Sequence, residues 1–191
     1  MIVYLATRPH CYAMTDFLDG PGAVIAGRLS VIAYDEALRM DPGDLPSGTW
    51  IFSDIERLGT AGAVAAARLW QVLADRGCRL LNHPTRALRR YEMLRLLHDR
   101  GINDFDVQRL TDRRFPARFP VFLRRDDNHS GALSGLCPGP QALAEMIADR
   151  RARGWPRQRM ILVEFSDTAD GDGLYRKYGA FRVGGRIVAG H

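Results

Sequence analysis

The chain has 191 residues, of which 46% are hydrophobic and 26% charged, a composition that excludes a disordered chain and suits one large domain or two small ones. Its net charge of +5 raises the question of a nucleic-acid partner. The apolar runs are shorter than the roughly 18 residues that a membrane span needs, so we expect no membrane partner. The scattered Cys11, Cys78 and Cys137 indicate free thiols, and we predict a soluble cytoplasmic protein.

Arginine supplies nearly all of the positive charge, since Lys177 is the only lysine among the 27 basic residues. The arginines are dispersed among acidic residues, and doublets such as Arg89-Arg90 are their densest groups. Single-strand binders usually interleave basic and aromatic residues along a groove. The pattern therefore indicates compositional bias, and nucleic-acid binding is a minor alternative.

The first half alternates apolar runs with helical stretches. A helix is predicted over Thr60–Arg76, where Gly77 ends it. Short buried strands are predicted over Met1–Ala6, Ser30–Tyr34, Thr49–Phe52 and Arg79–Leu81. Strands separated by helices predict a parallel, doubly wound α/β sheet, which binds ligands at the carboxyl ends of its strands.

The segment Ser53–Glu56 follows the third of these strands and has two interpretations. In the favoured one, Ser53 and Glu56 form a capping box at the start of a helix. In the other, Asp54 lies in the ligand crevice of the sheet.

The second half begins near Asn82–Pro84 and has a different pattern. Helices are predicted over Thr85–Arg100 and Pro140–Arg153, and Gly184-Gly185 indicates a two-residue hairpin turn between Val183 and Arg186. Strands are predicted over Phe105–Leu110, Phe119–Arg124, Met160–Phe165, Tyr175–Val183 and Arg186–Ala189. We therefore expect two domains, an α/β lobe over residues 1–81 and a mostly antiparallel α+β lobe over residues 82–191.

Two segments of the second half combine a buried strand with groups that could bind a nucleotide. Phe119–Arg125 ends in two arginines before a polar loop that reaches Gly131, and such a loop can present amides to phosphate. Met160–Phe165 ends in a carboxylate and an aromatic ring, where backbone groups could bind an adenine edge. The alternatives are a hairpin loop with solvated charges and a strand that simply leaves the core.

A third segment, Tyr175–Arg186, carries the single lysine of the chain. Strand alternation places Lys177 on the mostly apolar face of Tyr175 and Phe181, and Arg176 on the other. A buried ammonium needs an anionic partner. The alternative is a lysine at a strand edge whose ammonium reaches water.

The order of these segments resembles that of the ATP-grasp superfamily over the whole chain. Residues 1–81 resemble the α/β lobe that precedes the ATP-grasp domain, and residues 82–191 resemble its first ATP-clamping region. The resemblance implies ATP and Mg²⁺ as cofactors, a small carboxylate substrate that is activated as an acyl phosphate, and attack by an amine.

The resemblance also assigns roles to individual positions. Arg90 and Arg124 stand where the family usually has phosphate-binding lysines, and Arg176 with Lys177 matches the catalytic basic strand that faces the terminal phosphate and the substrate. The mobile loop over the phosphates corresponds to Asp127, Asn128, His129, Ser130 and Gly131, and the adenine-binding hinge to Val163, Glu164 and Phe165.

One departure from the family concerns the metal ligands. The family places its magnesium carboxylates on a Glu-x-Asn-like strand after the basic strand, and no such pair follows Arg186. We therefore expect an incomplete site: a fragment, one piece of a split enzyme, or a degenerate relative that senses nucleotides or acts as a scaffold. Such a chain would bind ATP weakly, show no magnesium-dependent turnover and tend to form a homodimer through uncovered sheet.

Overall fold

A computed structural model describes residues 1–112, 114–127, 131–155, 157–176, 178–183 and 185–190. The chain divides into two compact units, residues 1–93 with 125–130, and residues 94–124 with 131–191. Among the described residues, no helix is both long and apolar enough to cross a membrane. The domain boundary near Asn82–Pro84 stays a prediction.

The first unit contains a four-stranded parallel sheet with the strand order β2-β1-β3-β4. In register, Ile2 lies beside Leu29 and Thr49, and Thr49 lies beside Arg79. The strands are β1 (Ile2–Ala6), β2 (Leu29–Ala33), β3 (Thr49–Phe52) and β4 (Arg79–Leu81). This confirms the predicted parallel sheet. The chain places β2 on one side of β1 and then β3 and β4 on the other side, so the direction in which strands are added reverses between β1 and β3.

Helices and short 3-10 turns connect these strands. The long predicted helix is confirmed as α3, whereas the helix that follows β1 was not predicted. The helices of this region are α1 (Cys11–Asp19), α2 (Tyr34–Ala37), α3 (Thr60–Asp75) and α4 (Arg90–Asp99). The last of these begins later than the predicted Thr85, because Pro84–Arg86 forms a separate 3-10 turn and Leu88 is exposed.

The core of the first unit lies between the sheet and α3. Alternate residues of β3, Trp50 and Phe52, are fully buried, as the two-residue period of a strand requires. They pack in one cluster with Leu69 and Leu73 of α3, whose spacing places them on one helix face. This core fixes the carboxyl ends of β1 and β3.

The second unit contains antiparallel sheets, so the α/β-then-α+β fold class is confirmed. Its three-stranded sheet has the order β5-β7-β6, and β5 pairs antiparallel with β7. All five residues of the central strand β7 are buried, partly against Leu143 of the helix. The elements are β5 (Val107–Arg109), β6 (Val121–Arg125, which ends in the first unit), α5 (Pro140–Ala152) and β7 (Met160–Glu164).

A separate two-stranded hairpin follows, formed by β8 (Gly179–Val183) and β9 (Arg186–Gly190). The pairing of Val183 with Arg186 confirms the predicted two-residue connection. The predicted strand start at Tyr175 was wrong, because β8 begins at Gly179. The expected inward apolar face was also wrong: Phe181 is 65% exposed, and Tyr175 is exposed too.

Candidate functional site

Arg90, one of the two predicted phosphate-binding arginines, is fixed at its guanidinium. Its Nη1 donates to the carbonyl oxygen of Arg125 at 2.6 Å, within the first unit. Arg125 follows Arg124, the other predicted phosphate ligand, in the chain. A guanidinium has five N–H donors, and Arg90 uses one of them to hold this carbonyl.

The segment after β6 begins with an ion pair. Arg125 Nε and Nη2 donate to the two oxygens of Asp127 at 2.8 Å each, a bidentate pair that turns the Asp127 carboxylate back onto the strand end. Gly131 is exposed, and none of the described residues comes within 4 Å of a Cβ added there. The predicted loop residues Asn128, His129 and Ser130 lie outside the described residues.

Asp126 is a feature that the sequence interpretation did not single out. It is buried, and its Oδ1 has no hydrogen-bond partner among the described residues. A buried carboxylate oxygen without a partner costs free energy, so such a group calls for an explanation. The sequence signal was only that two aspartates follow two arginines.

The residues of the predicted adenine hinge pair with neighbouring segments of the three-stranded sheet. Val163 pairs with Val107, the amide of Glu164 donates to Asp106 O at 3.1 Å, and the amide of Phe165 donates to Pro120 O at 2.9 Å. The buried carboxylate of Glu164 accepts from the backbone amides of Asp106 and Arg118. Its side chain therefore joins segments of the second unit.

The predicted catalytic pair was placed on one strand, but Arg176 lies in a loop before β8. Its Nε donates to Asp170 Oδ2 at 2.7 Å. The backbone amide of Leu174 and this guanidinium lower the pKa of the Asp170 carboxyl. Lys177 lies outside the described residues.

The carboxyl ends of β1 and β3 carry a second constellation, centred on Asp54. Asp54 Oδ2 accepts from the amide of Thr7 at 3.2 Å and from the Thr7 hydroxyl at 2.7 Å. These two residues bridge the strands between which the strand order reverses. Ligands of open α/β sheets bind at that position, the topological switch point. Asp54 therefore lies at this edge of the sheet, as the second interpretation expected, and a ligand there stays a prediction.

The favoured capping box was wrong. The Ser53 hydroxyl donates to Leu5 O at 2.5 Å, and the 3-10 turn at Ile55–Arg57 has no side-chain cap. Ser53 is the first residue after β3, so its hydroxyl reaches the neighbouring strand instead of the amides that follow it. Tyr34 secures the same segment, because its hydroxyl donates to Ser53 O at 2.8 Å.

His10 extends this network, and the hydrogen bonds show that its Nδ1 carries a hydrogen. The single hydroxyl proton of Thr7 goes to Asp54, so the 2.8 Å contact between Thr7 Oγ1 and His10 Nδ1 requires a hydrogen on Nδ1. His10 Nδ1 also lies 3.5 Å from Asp54 Oδ2. Burial raises the pKa of the neighbouring Cys11 thiol, which disfavours a reactive thiolate there.

Backbone strain marks the same end of the sheet. Asp54 and Asn82 follow β3 and β4, and both have positive φ angles, of 53° and 65°. Asp and Asn tolerate this left-handed conformation better than other side-chain-bearing residues. Asn82 Nδ2 donates to Phe52 O at 3.1 Å, which fixes the turn against β3. Such strain is typical of binding sites held by the surrounding fold.

A pocket of about 360 Å³ opens between these two turns. The described residues that line it are Phe52, Ser53, Asp54, Ile55, Glu56, Asn82, His83, Arg86 and Ala87. All of them belong to the first unit. The sequence indicated this crevice through Asp54 alone, since the contributions of Asn82 to Ala87 require the register of β4.

In the described part of the chain, no cluster of three or more His, Cys, Asp or Glu side chains could hold a metal ion. No protein-family model matches the sequence, and no curated protein matches it significantly. The function must therefore be argued from the geometry of the chain itself.

Proposed function

We propose that the protein binds ATP through the arginine-bearing end of β6, in the manner that its resemblance to ATP-grasp proteins implies. The observation that carries the proposal is the bond from Arg90 Nη1 to Arg125 O. It fixes the guanidinium group of Arg90 against the end of β6 that lies in the first unit. A guanidinium group can hold phosphate oxygens bidentately.

The arrangement of β6 and β7 supports the same proposal within the second unit. The bond from the Phe165 amide to Pro120 O sets the end of β7 beside the start of β6. Arg124 lies four residues further along β6, which is roughly 13 Å at the usual rise of a strand. An extended nucleotide likewise carries its base and its terminal phosphate at opposite ends.

The activity that the resemblance implies is ATP-dependent ligation of a carboxylate to an amine. Bound magnesium would neutralise charge on the transferring phosphate. Asp126, two residues after Arg124 in the chain, has a buried Oδ1 without a hydrogen-bond partner among the described residues. With an incomplete set of metal ligands, we expect weak ATP binding and no magnesium-dependent turnover.

Titration calorimetry with ATP at a fixed ionic strength tests the proposal. We expect Arg124→Ala to weaken ATP binding by about ten-fold or more, because a hydrogen bond to a charged group contributes about 1.5–3 kcal/mol. Arg151→Ala is the matched control, since it removes an exposed arginine of α5 in the same unit. Equal losses in both variants would mean diffuse charge attraction, and an absence of binding would contradict the proposal.

A further variant separates geometry from charge. Arg124→Lys keeps the cation but replaces a planar fork with a compact ammonium, so we expect a loss of affinity between those of the alanine variant and the wild type. Unchanged affinity would show that Arg124 acts only through its charge.

A further inference from the structure

The pocket in the first unit has an unequal supply of hydrogen-bond donors and acceptors. The hydroxyl hydrogens of Thr7 and Ser53 go to Asp54 and to Leu5 O. Asn82 donates one amide hydrogen to Phe52 O. These neutral polar groups around the pocket therefore donate to protein acceptors and not to the interior of the pocket.

The Asp54 carboxylate at the pocket keeps accepting capacity. Both bonds from Thr7 go to Asp54 Oδ2, while Asp54 Oδ1 lies 3.7 Å from Arg57 Nε, beyond hydrogen-bond distance. Glu56 lines the same pocket, and a carboxylate offers about four lone-pair sites. A ligand that donates hydrogen bonds therefore suits the side of the pocket formed by Asp54 and Glu56.

The charges of the crevice balance. Arg57 Nε lies 3.7 Å from Asp54 and 3.8 Å from Glu56, next to the pocket, and Arg86 is one of the residues that line it. The charges of these two carboxylates and two guanidinium groups cancel. The fit is therefore better for hydroxyl groups than for an ammonium, which would need an uncompensated anion.

His83 adds one donor and a flat surface. Its Nδ1 accepts from the Thr85 amide at 3.2 Å, so the hydrogen of the neutral ring is on Nε2. Its ring centroid lies 4.7 Å from that of Trp70, which fixes the orientation of the imidazole. A hydroxyl group can donate to a carboxylate and accept from an imidazole N–H, so it matches both kinds of group.

We propose that this pocket binds a neutral polyhydroxylated ligand, either a monosaccharide or the ribose of a nucleoside, with Asp54 and Glu56 accepting from its hydroxyl groups. Its volume of about 360 Å³ falls within the range of small-molecule sites. The argument uses the first unit alone and is independent of the ATP proposal, which uses Arg90 and Arg124.

Backbone amide NMR shifts of the full chain provide the test. The neutral probes are methyl β-D-ribofuranoside, methyl α-D-glucopyranoside and adenosine, and the charged probes are ethylammonium and acetate. We expect saturable shifts of residues 52–56 and 82–87 with the neutral polyols. A response to the glucoside indicates a sugar site, and a response only to the riboside and adenosine indicates a ribose site.

Two near-isosteric variants test the assigned acceptors. Asp54→Asn keeps a residue that tolerates a positive φ, and Glu56→Gln changes a half-exposed side chain, so both should fold. Each should weaken polyol binding by about ten-fold, because a charged acceptor is replaced by a neutral amide. Asp35→Asn is the control: it alters an exposed partner of Arg8 and should leave polyol binding unchanged.

Stronger shifts with ethylammonium than with the polyols would overturn the proposal in favour of an amine site. Absence of shifts with every polyol at high millimolar concentration would overturn it as well. Arg124→Ala should leave polyol binding unchanged, so failure of this site and failure of the ATP site are distinguishable.

Discussion

Two carboxylates of the first unit, the half-buried Asp54 and the buried Asp126, differ in the hydrogen bonds that the fold gives them. Asp54, after β3, accepts two hydrogen bonds from Thr7 on the neighbouring strand. Asp126, after β6, is buried with an Oδ1 that has no partner among the described residues. The Asp54 carboxylate is therefore held by the neighbouring strand, whereas Asp126 keeps a buried oxygen to which no described residue donates a hydrogen bond, and such oxygens are uncommon in folded proteins.

The largest effect is expected from Asp54→Ala. It removes two hydrogen bonds to a charged group and leaves alanine at a positive φ, so we expect a loss of about 3 kcal/mol in the free energy of unfolding. Urea unfolding measures this loss. Asp54→Asn should lose clearly less, because asparagine tolerates a positive φ. Equal losses would mean that the carboxylate charge accounts for the whole effect and the backbone conformation for none of it.

Asp126→Asn should have the opposite sign. Replacing a buried, incompletely partnered carboxylate with a neutral amide should raise the free energy of unfolding by about 1–2 kcal/mol. The same unfolding experiment, with Asp149→Asn on exposed α5 as the control, measures the gain. Destabilisation by Asp126→Asn would show that the carboxylate is fully satisfied in the folded chain, and the contrast between the two regions would fail.

Thr7→Val should have a smaller effect than Asp54→Ala. The substitution removes the hydroxyl but keeps the backbone amide that also bonds Asp54, so we expect a loss of about 1 kcal/mol. The ring-nitrogen NMR shifts of His10 should change too, because the hydroxyl that holds Nδ1–H is gone. A wild-type His10 without a hydrogen on Nδ1 would contradict the assigned direction of the Thr7 hydroxyl bond.

The smallest effect concerns an exposed pair remote in sequence from both regions. The Leu174 amide and the Arg176 guanidinium lower the pKa of Asp170, so the contribution of Asp170 to stability is present above its unfolded pKa and is lost as pH falls through the lower folded pKa. Arg176→Ala should raise the pKa of Asp170 towards its ordinary value. A carboxyl-carbon NMR titration measures this shift, and Arg182→Ala serves as the control.

The sequence predicted the sheet of the first unit well, because its strands are short apolar runs separated by a long helix that Gly77 ends. It failed at Ser53, where the capping-box spacing is correct but the hydroxyl reaches a neighbouring strand instead. That contact depends on the parallel register of β1 and β3, which no local pattern encodes.

In the second unit, too, the sequence predicted strands but not the contacts of their polar side chains. Apolar runs identified β6 and β7, whereas the partners of polar side chains depend on how the strands pair. Glu164 was predicted to be a hinge residue, and its carboxylate accepts from the Arg118 amide. The strand containing Arg176 was extended too far, because the alternation of residue types continues into a loop that Asp170 organises. The roles assigned to Arg124 and Lys177 stay predictions.

An amide NMR titration of the full chain with ATP and magnesium tests the central claim most directly. The account predicts saturable shifts along Leu123–Asp127 and at Arg90, and Arg124→Ala should abolish them while Arg151→Ala preserves them. Shifts confined to residues 52–56 and 82–87, or shifts that Arg124→Ala leaves intact, would contradict ATP binding at the end of β6.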